Sequence, residues 1–194
     1  KIRKNKTRKC KPIKISSNFE SGNIIHKSSK CDSKLNHIID LEIREEPYPK
    51  YTKRKYKNWF YFKATNMKSK TKFHINKIRN YFNDWKGYTV CYSYNNKTWK
   101  RMKTKVNIEK KRLTWEINPK KSTMWFAFYP PYPFSKSKKL LSNMQTIGYT
   151  KEKRPILMKK LGNGPKRVWI VSGQHSGETI NSWMLEGFIK RLLE

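Results

Sequence analysis

Two residues near the end of the sequence, His175 and Glu178, have the types and spacing to share a metal ion. They stand in "VSGQHSGETINSWMLEGF" (171–188), with Gly177 between them free to form a tight turn. Imidazole and carboxylate both ligate Zn²⁺, and a catalytic zinc takes three protein ligands plus a water. The ion would lower the pKa of that water to about 7 and polarise a substrate carbonyl. Spacing alone says little, since four His and ten Glu in 194 residues produce some His-x-x-Glu by chance about one time in five. Position says more. His175 lies two residues past the apolar run "KRVWIVSG" (166–173), and in open α/β sheets functional groups gather where strands end.

Other chemistry is thin. His26, His37 and His74 have no acidic or Cys partner at ligand spacing and read as loop or surface residues. Glu186 reads as a solvated or capping charge. Gly162-Asn163-Gly164-Pro165-Lys166 has the wrong spacing for a phosphate loop, and "GQHSG" is not a nucleophile elbow. No Ser-His-Asp constellation can be placed.

The elements that must position the pair fall into two styles. Residues 1–14 are a basic lead-in without apolar period, and 26–37 are polar and read as a loop. "IIDLEIREE" (38–46) alternates Ile39, Leu41 and Ile43 against Asp40, Glu42 and Arg44, the period of a half-buried strand that Pro47 and Pro49 end. Strand signals follow at 58–66 and 71–78. Residues 88–102 predict a hairpin around Asn95-Asn96, and 105–117 a second with residues 109–112 at its tip and Leu113, Trp115 and Ile117 facing inward. A last strand spans 122–134. Six or more short strands predict an antiparallel β-sandwich over 15–135. Beyond it, 135–147 has helical spacing and 166–173 reads as a buried strand. A helix from about Thr179 carries Ile180, Trp183, Met184, Phe188 and Leu192 on one face. Strand, loop and helix open an α/β domain, and some 60 residues cannot bury both its strand and its helix. The second domain therefore reads as cut short, and, separately, a first residue that is Lys1 rather than Met reads as that of a fragment.

Hydrophobic residues make up 36% of the chain and aromatics 14%, enough for a core despite a net charge of +33. That charge has two readings. Lys far outnumbers Arg, as an A/T-rich genome would produce without selection, or an acidic partner is being matched. Nucleic acid is the weaker partner, because its readers lean on Arg. Cys10, Cys31 and Cys91 are odd in number with no CxxC spacing, so free thiols and a cytoplasmic location are expected. No run reaches the roughly 18 apolar residues of a membrane span, and no membrane partner is expected.

At this point the residues resemble a known family. "VWIVSGQHSGETINSWMLEGFIKRLL" is similar to the first zinc motif of the metallocarboxypeptidases in their cytosolic carboxypeptidase branch. That motif is a hydrophobic strand, His-Pro-Gly-Glu-Thr, then a Trp-containing helix. "SNFESGNI", "WFYF", "FHIN", "WKRM" and "FAFYPPYPF" resemble, in order, the β-sandwich domain that precedes the catalytic domain in that branch. The resemblance implies the first two ligands of a Zn²⁺ cofactor at His175 and Glu178. One departure is Ser176, where the branch usually has Pro. The second His ligand, the arginines that hold the substrate carboxylate and the general-base Glu have no counterpart here, so no catalytic residue is expected in this chain, which should be inactive alone. The fold class expected is a sandwich (15–135) followed by the truncated start of an α/β, mixed-sheet carboxypeptidase domain (136–194). The activity implied is removal of C-terminal residues from proteins, often glutamates from acidic, tubulin-like tails. The alternative is a non-catalytic basic adaptor, from a truncated carboxypeptidase-like gene, that binds an anionic partner or nucleic acid.

Overall fold

The computed structural model describes residues 10–45, 56–79, 85–140, 143–175 and 177–194. Residues 1–9 of the lead-in, Pro47, Pro49, Leu141 and Ser176 lie outside the described residues. The chain divides into two compact units, Lys1–Pro130 and Pro131–Glu194.

Among the described residues, the first unit holds ten strands in two sheets. One has the order β1-β4-β10-β6-β7, from Lys14–Ser16, Tyr61–Thr65, Thr123–Ala127, Val90–Ser93 and Lys100–Met102. The other has the order β2-β3-β5-β9-β8, from Ile25–Cys31, His37–Glu42, Thr71–Asn76, Arg112–Ile117 and Lys105–Asn107. Alternation decides what each strand buries. In β3, Ile39 and Leu41 point into the core while Ile38, Asp40 and Glu42 face outward, and β5 turns Phe73 and Ile75 in. Phe62 and Phe126 of the first sheet meet Phe73 and Trp115 of the second. Phe73 lies 4.9 Å from Phe126 and 5.9 Å from Phe62 between ring centroids, and Trp115 5.8 Å from Phe126. This aromatic layer joins both sheets in one core, as the inward positions of 105–117 require.

The Asn95-Asn96 turn is as its residues predict. Asn96 takes a φ of 59°, and Asn95 Oδ1 accepts the backbone N–H groups of Lys97 and Thr98. Three expectations need correction. The pairing is not wholly antiparallel, because β3 and β5 run parallel, in register from His37 with Thr71 to Glu42 with Asn76. Residues 25–31 form a strand on β3 rather than a loop. As an edge strand exposed over most of its length, β2 needs no apolar alternation, so its signal is missing from the sequence. The thiols are not all free: Cys10 and Cys31 form a disulfide, and Cys91 is the free, buried one.

The second unit contains helix α1 (Phe134–Leu140), a hairpin of β11 (Gln145–Tyr149) and β12 (Pro155–Met158), and helix α2 (Thr179–Leu192). The helix expected over 135–147 is shorter, because Asn143 adopts a φ of 53° and β11 begins at Gln145. The strand expected at 166–173 is also corrected. Among the described residues nothing pairs with it, and Val168 and Trp169 are 84% and 77% exposed. An apolar run becomes a sheet strand only where a neighbour takes its N–H and C=O groups. The apolar face of α2 is likewise uncovered, with Met184, Phe188 and Leu192 exposed. No helix among the described residues is long and apolar enough to cross a membrane.

Candidate metal centre

His175 and Glu178 sit where residues 166–177 turn into α2. Gly173 and Gly177 take φ values of 75° and 86°, left-handed conformations that cost a side-chain-bearing residue steric energy. They fold the segment back so that the Glu178 N–H donates to the His175 carbonyl at 3.4 Å. Glu178 is then the N-cap of α2, and its carbonyl accepts the Asn181 N–H at 3.2 Å. Its carboxylate is not spent on capping the helix. Instead, both oxygens lie 3.1 Å from His175 Nδ1, and Asn181 Nδ2 donates to Oε2 at 3.4 Å. Ser172 and Ser182 join hydroxyls at 3.1 Å, tying the incoming segment to the first turn of the helix.

The two expected residues are thus brought together. Their side chains are 76% and 48% exposed, so an ion could reach both from solvent. The donor set fits zinc, one imidazole nitrogen and one carboxylate in contact, with an amide holding the carboxylate as an outer partner. It supplies two ligands of the three that a catalytic site takes. The remaining histidines, His26, His37 and His74, belong to the other unit.

Glu186 corrects the expectation of a solvated charge. Its side chain is 10% exposed, on the face of α2 turned to α1. Lys190 Nζ donates to Oε1 at 2.7 Å, one turn along the helix. Lys136 Nζ of α1 lies 2.8 Å from Oε2, an ionic contact off the ideal hydrogen-bond direction. Burial acts to raise the carboxyl pKa, but Lys136, Lys190 and Tyr132 outweigh it and leave the net shift downward. Tyr132 is pushed up to about 12, by burial first and then by the Glu186 charge it donates to. Lys136 also lies 4.4 Å from the Trp183 ring centroid, and Tyr132 meets Trp183 edge-on at 5.1 Å. Glu186 therefore anchors the helix that Glu178 caps. Sequence spacing hides this role, because Lys136 is 50 residues away.

The sequence reading also missed His37. It lies beside both sulfurs of the disulfide rather than on an open surface, since β2 and β3 pair Cys31 with His37. Cys31 and His37 stood six apart in the sequence, a spacing that becomes a contact only across a hairpin.

Known proteins align with both units. Residues 15–129 match the cytosolic carboxypeptidase N-terminal domain, and residues 133–194 match the zinc carboxypeptidase pattern. An uncharacterized protein of Zymomonas mobilis is 24% identical over 195 residues, covering 94% of this chain and 48% of its own length. A Shewanella denitrificans structure classed as a carboxypeptidase A superposes with a TM-score of 0.80 at 25% identity, over 93% of this chain and 49% of that one. A metallo-carboxypeptidase from Burkholderia cenocepacia gives 0.77 at 25% identity, with coverage of 93% and 49%. The chain spans about half the length of the relatives it matches.

Proposed function

Because the chain belongs to the zinc carboxypeptidase family, with the cytosolic carboxypeptidase N-terminal domain ahead of the catalytic region, we propose that it forms the first part of a metallocarboxypeptidase. Residues 15–135 are its N-terminal sandwich domain and 136–194 the opening of its α/β catalytic domain. His175 and Glu178 are two of the zinc ligands. The observation that carries this reading is the contact of His175 Nδ1 with both Glu178 oxygens at 3.1 Å, solvent-facing, at the head of a helix within the matched region. Bound Zn²⁺ would supply a water of lowered pKa and polarise the terminal peptide carbonyl. The chain's own residues hold and orient the ligands: Gly173 and Gly177 set the turn, Asn181 steadies the carboxylate, and Glu186 fixes α2.

The exposed apolar residues of 168–171 and α2 support a catalytic domain whose remaining elements cover them. The net charge of +33 supports acidic protein tails, among them glutamate-rich C-termini, as substrates in the cytoplasm. The test is glutamate release from a peptide with a poly-Glu C-terminus by the whole protein. Activity is expected, with loss in His175→Ala and Glu178→Gln. The 194-residue chain alone should show no turnover above background with or without Zn²⁺, since two ligands hold the ion loosely. Whole-protein turnover unchanged in His175→Ala would refute the ligand assignment. The charge also favours a second reading, a non-catalytic adaptor for an anionic partner. Salt-sensitive nucleic-acid binding, with no peptidase activity in the whole protein, would establish that one instead.

A further inference from the structure

A second set of metal-ligating side chains lies in the first unit, far in sequence from His175. Cys10 precedes β1, Cys31 ends β2 and His37 opens β3. The turn joining β2 to β3 is closed by Asp32, whose Oδ1 accepts the N–H groups of Lys34 and Asn36, both at 2.9 Å. Leu35 takes a φ of 60° within it. This ordered turn makes Cys31 and His37 the first cross-strand pair of the hairpin. His37 is 5% exposed, which keeps its ring out of water, and its backbone N–H donates to the Lys70 carbonyl at 2.9 Å.

We propose that Cys10, Cys31 and His37 form a zinc site in the reduced chain, closed off when the two cysteines are joined as a disulfide. Three observations carry it. The ligand atoms all lie within 4.8 Å of one another. The His37 ring nitrogens lie 3.7 Å from Cys10 Sγ, and Nδ1 lies 3.5 Å from Cys31 Sγ. In a tetrahedral zinc site with Zn–S near 2.3 Å and Zn–N near 2.05 Å, sulfur and nitrogen ligands stand about 3.6 Å apart. Those separations match the sulfur–nitrogen edges of the tetrahedron, so completing it needs the sulfurs to part to about 3.8 Å and the ring, whose two nitrogens stand equally far from Cys10 Sγ, to turn one lone pair toward the ion. The third observation is the imidazole itself. Among the described residues its hydrogen-bond partners are those two sulfurs, and a disulfide is a poor acceptor for a buried N–H. Two thiolates and an imidazole are a soft set that suits Zn²⁺, with water in the fourth position.

The chemistry balances through a dithiol reductant, the class that keeps cytoplasmic thiols reduced. It gives two electrons and two protons to the Cys10–Cys31 bond and becomes a disulfide itself. Zn²⁺ then displaces the two thiol protons to solvent. The site would thus brace the ends of β1, β2 and β3 under reducing conditions, while the disulfide does so under oxidising ones.

The test uses the 194-residue chain, reduced with a phosphine, stripped with chelator and titrated with Co²⁺. A thiolate-to-cobalt charge-transfer band is expected to saturate at one equivalent and to be displaced by Zn²⁺. His175 and Glu178 cannot produce that band, because no sulfur lies in that pair. The band should survive in Cys91→Ser and vanish both in Cys31→Ser and after reoxidation. Alkylation of Cys10 and Cys31 in the reduced wild-type chain gives a second measurement free of any folding defect in a variant. Zn²⁺ should slow it at least about tenfold, since a coordinated thiolate is a poor nucleophile. Absence of the band in the reduced wild-type chain, its survival in Cys31→Ser, or alkylation unaffected by Zn²⁺ would each overturn the proposal. None of these results bears on the carboxypeptidase reading.

Discussion

Glu186→Gln separates an anchoring role for this carboxylate from a passive surface charge. Glutamine keeps the shape and can still accept the Tyr132 hydroxyl, so the change removes the charge and little else. The Lys190 pair, one helical turn away on a 64% exposed side chain, is worth about 0.3–0.5 kcal/mol. The Lys136 pair lies between side chains 34% and 10% exposed, between the surface and buried limits, and is worth about 1–2 kcal/mol. A loss of about 2 kcal/mol corresponds to about 30-fold faster hydrogen exchange of α2 amides at neutral pH. The β11–β12 hairpin, which does not rest on this carboxylate, should exchange as before. The pH dependence has a definite sign. The folded Glu186 pKa lies below its ordinary value of 4.5, so its stabilisation is fully present above that value and fades as pH falls through the folded pKa. The gap between wild type and variant should therefore close in acid. Unchanged α2 exchange at neutral pH, or a gap that persists in strong acid, would refute the reasoning.

The aromatic layer and the sheet surface give two further expectations. Phe73→Ala removes a fully buried ring that meets Phe126, Trp115 and Phe62. It should cost the first unit about 3–5 kcal/mol, read as a lower urea midpoint by Trp fluorescence, whereas a loss under about 1 kcal/mol would mean the sheets do not share this core. Glu116, held by Lys70 at 2.6 Å and Lys72 at 2.7 Å, has its pKa lowered to about 2. Its stabilisation is present above pH 4.5 and lost between there and about pH 2. Acid unfolding of Glu116→Gln should accordingly be shallower over that window, and an identical acid limb would count against the pairing.

Local periodicity made the inward residues of the first unit legible. Ile39, Leu41, Leu113 and Trp115 were readable because a half-buried strand alternates every second residue, whatever it pairs with. The Asn95-Asn96 turn was readable for a similar reason, since its backbone conformation is a property of those residues. Partner choice was not legible. That β3 runs parallel to β5, that residues 25–31 add an edge strand, and that 166–173 finds no partner strand among the described residues are decided by which chain segment lies alongside.

The candidate sites divide along the same line. His175 and Glu178 meet through one turn of four residues, so sequence alone could put imidazole and carboxylate together, with Gly177 as the reason they converge. Glu186 with Lys136 joins residues 50 apart, and Cys10 meets Cys31 and His37 from 21 and 27 residues away, with Cys31 and His37 joined only across a hairpin, and nothing in their spacing announces the contact. Sequence by itself determined the chemistry each side chain can offer and the local turns that aim it. Only tertiary structure decided which of those groups share a site, because burial and pairing bring together what the chain keeps apart, and contacts of that range carry no period along it.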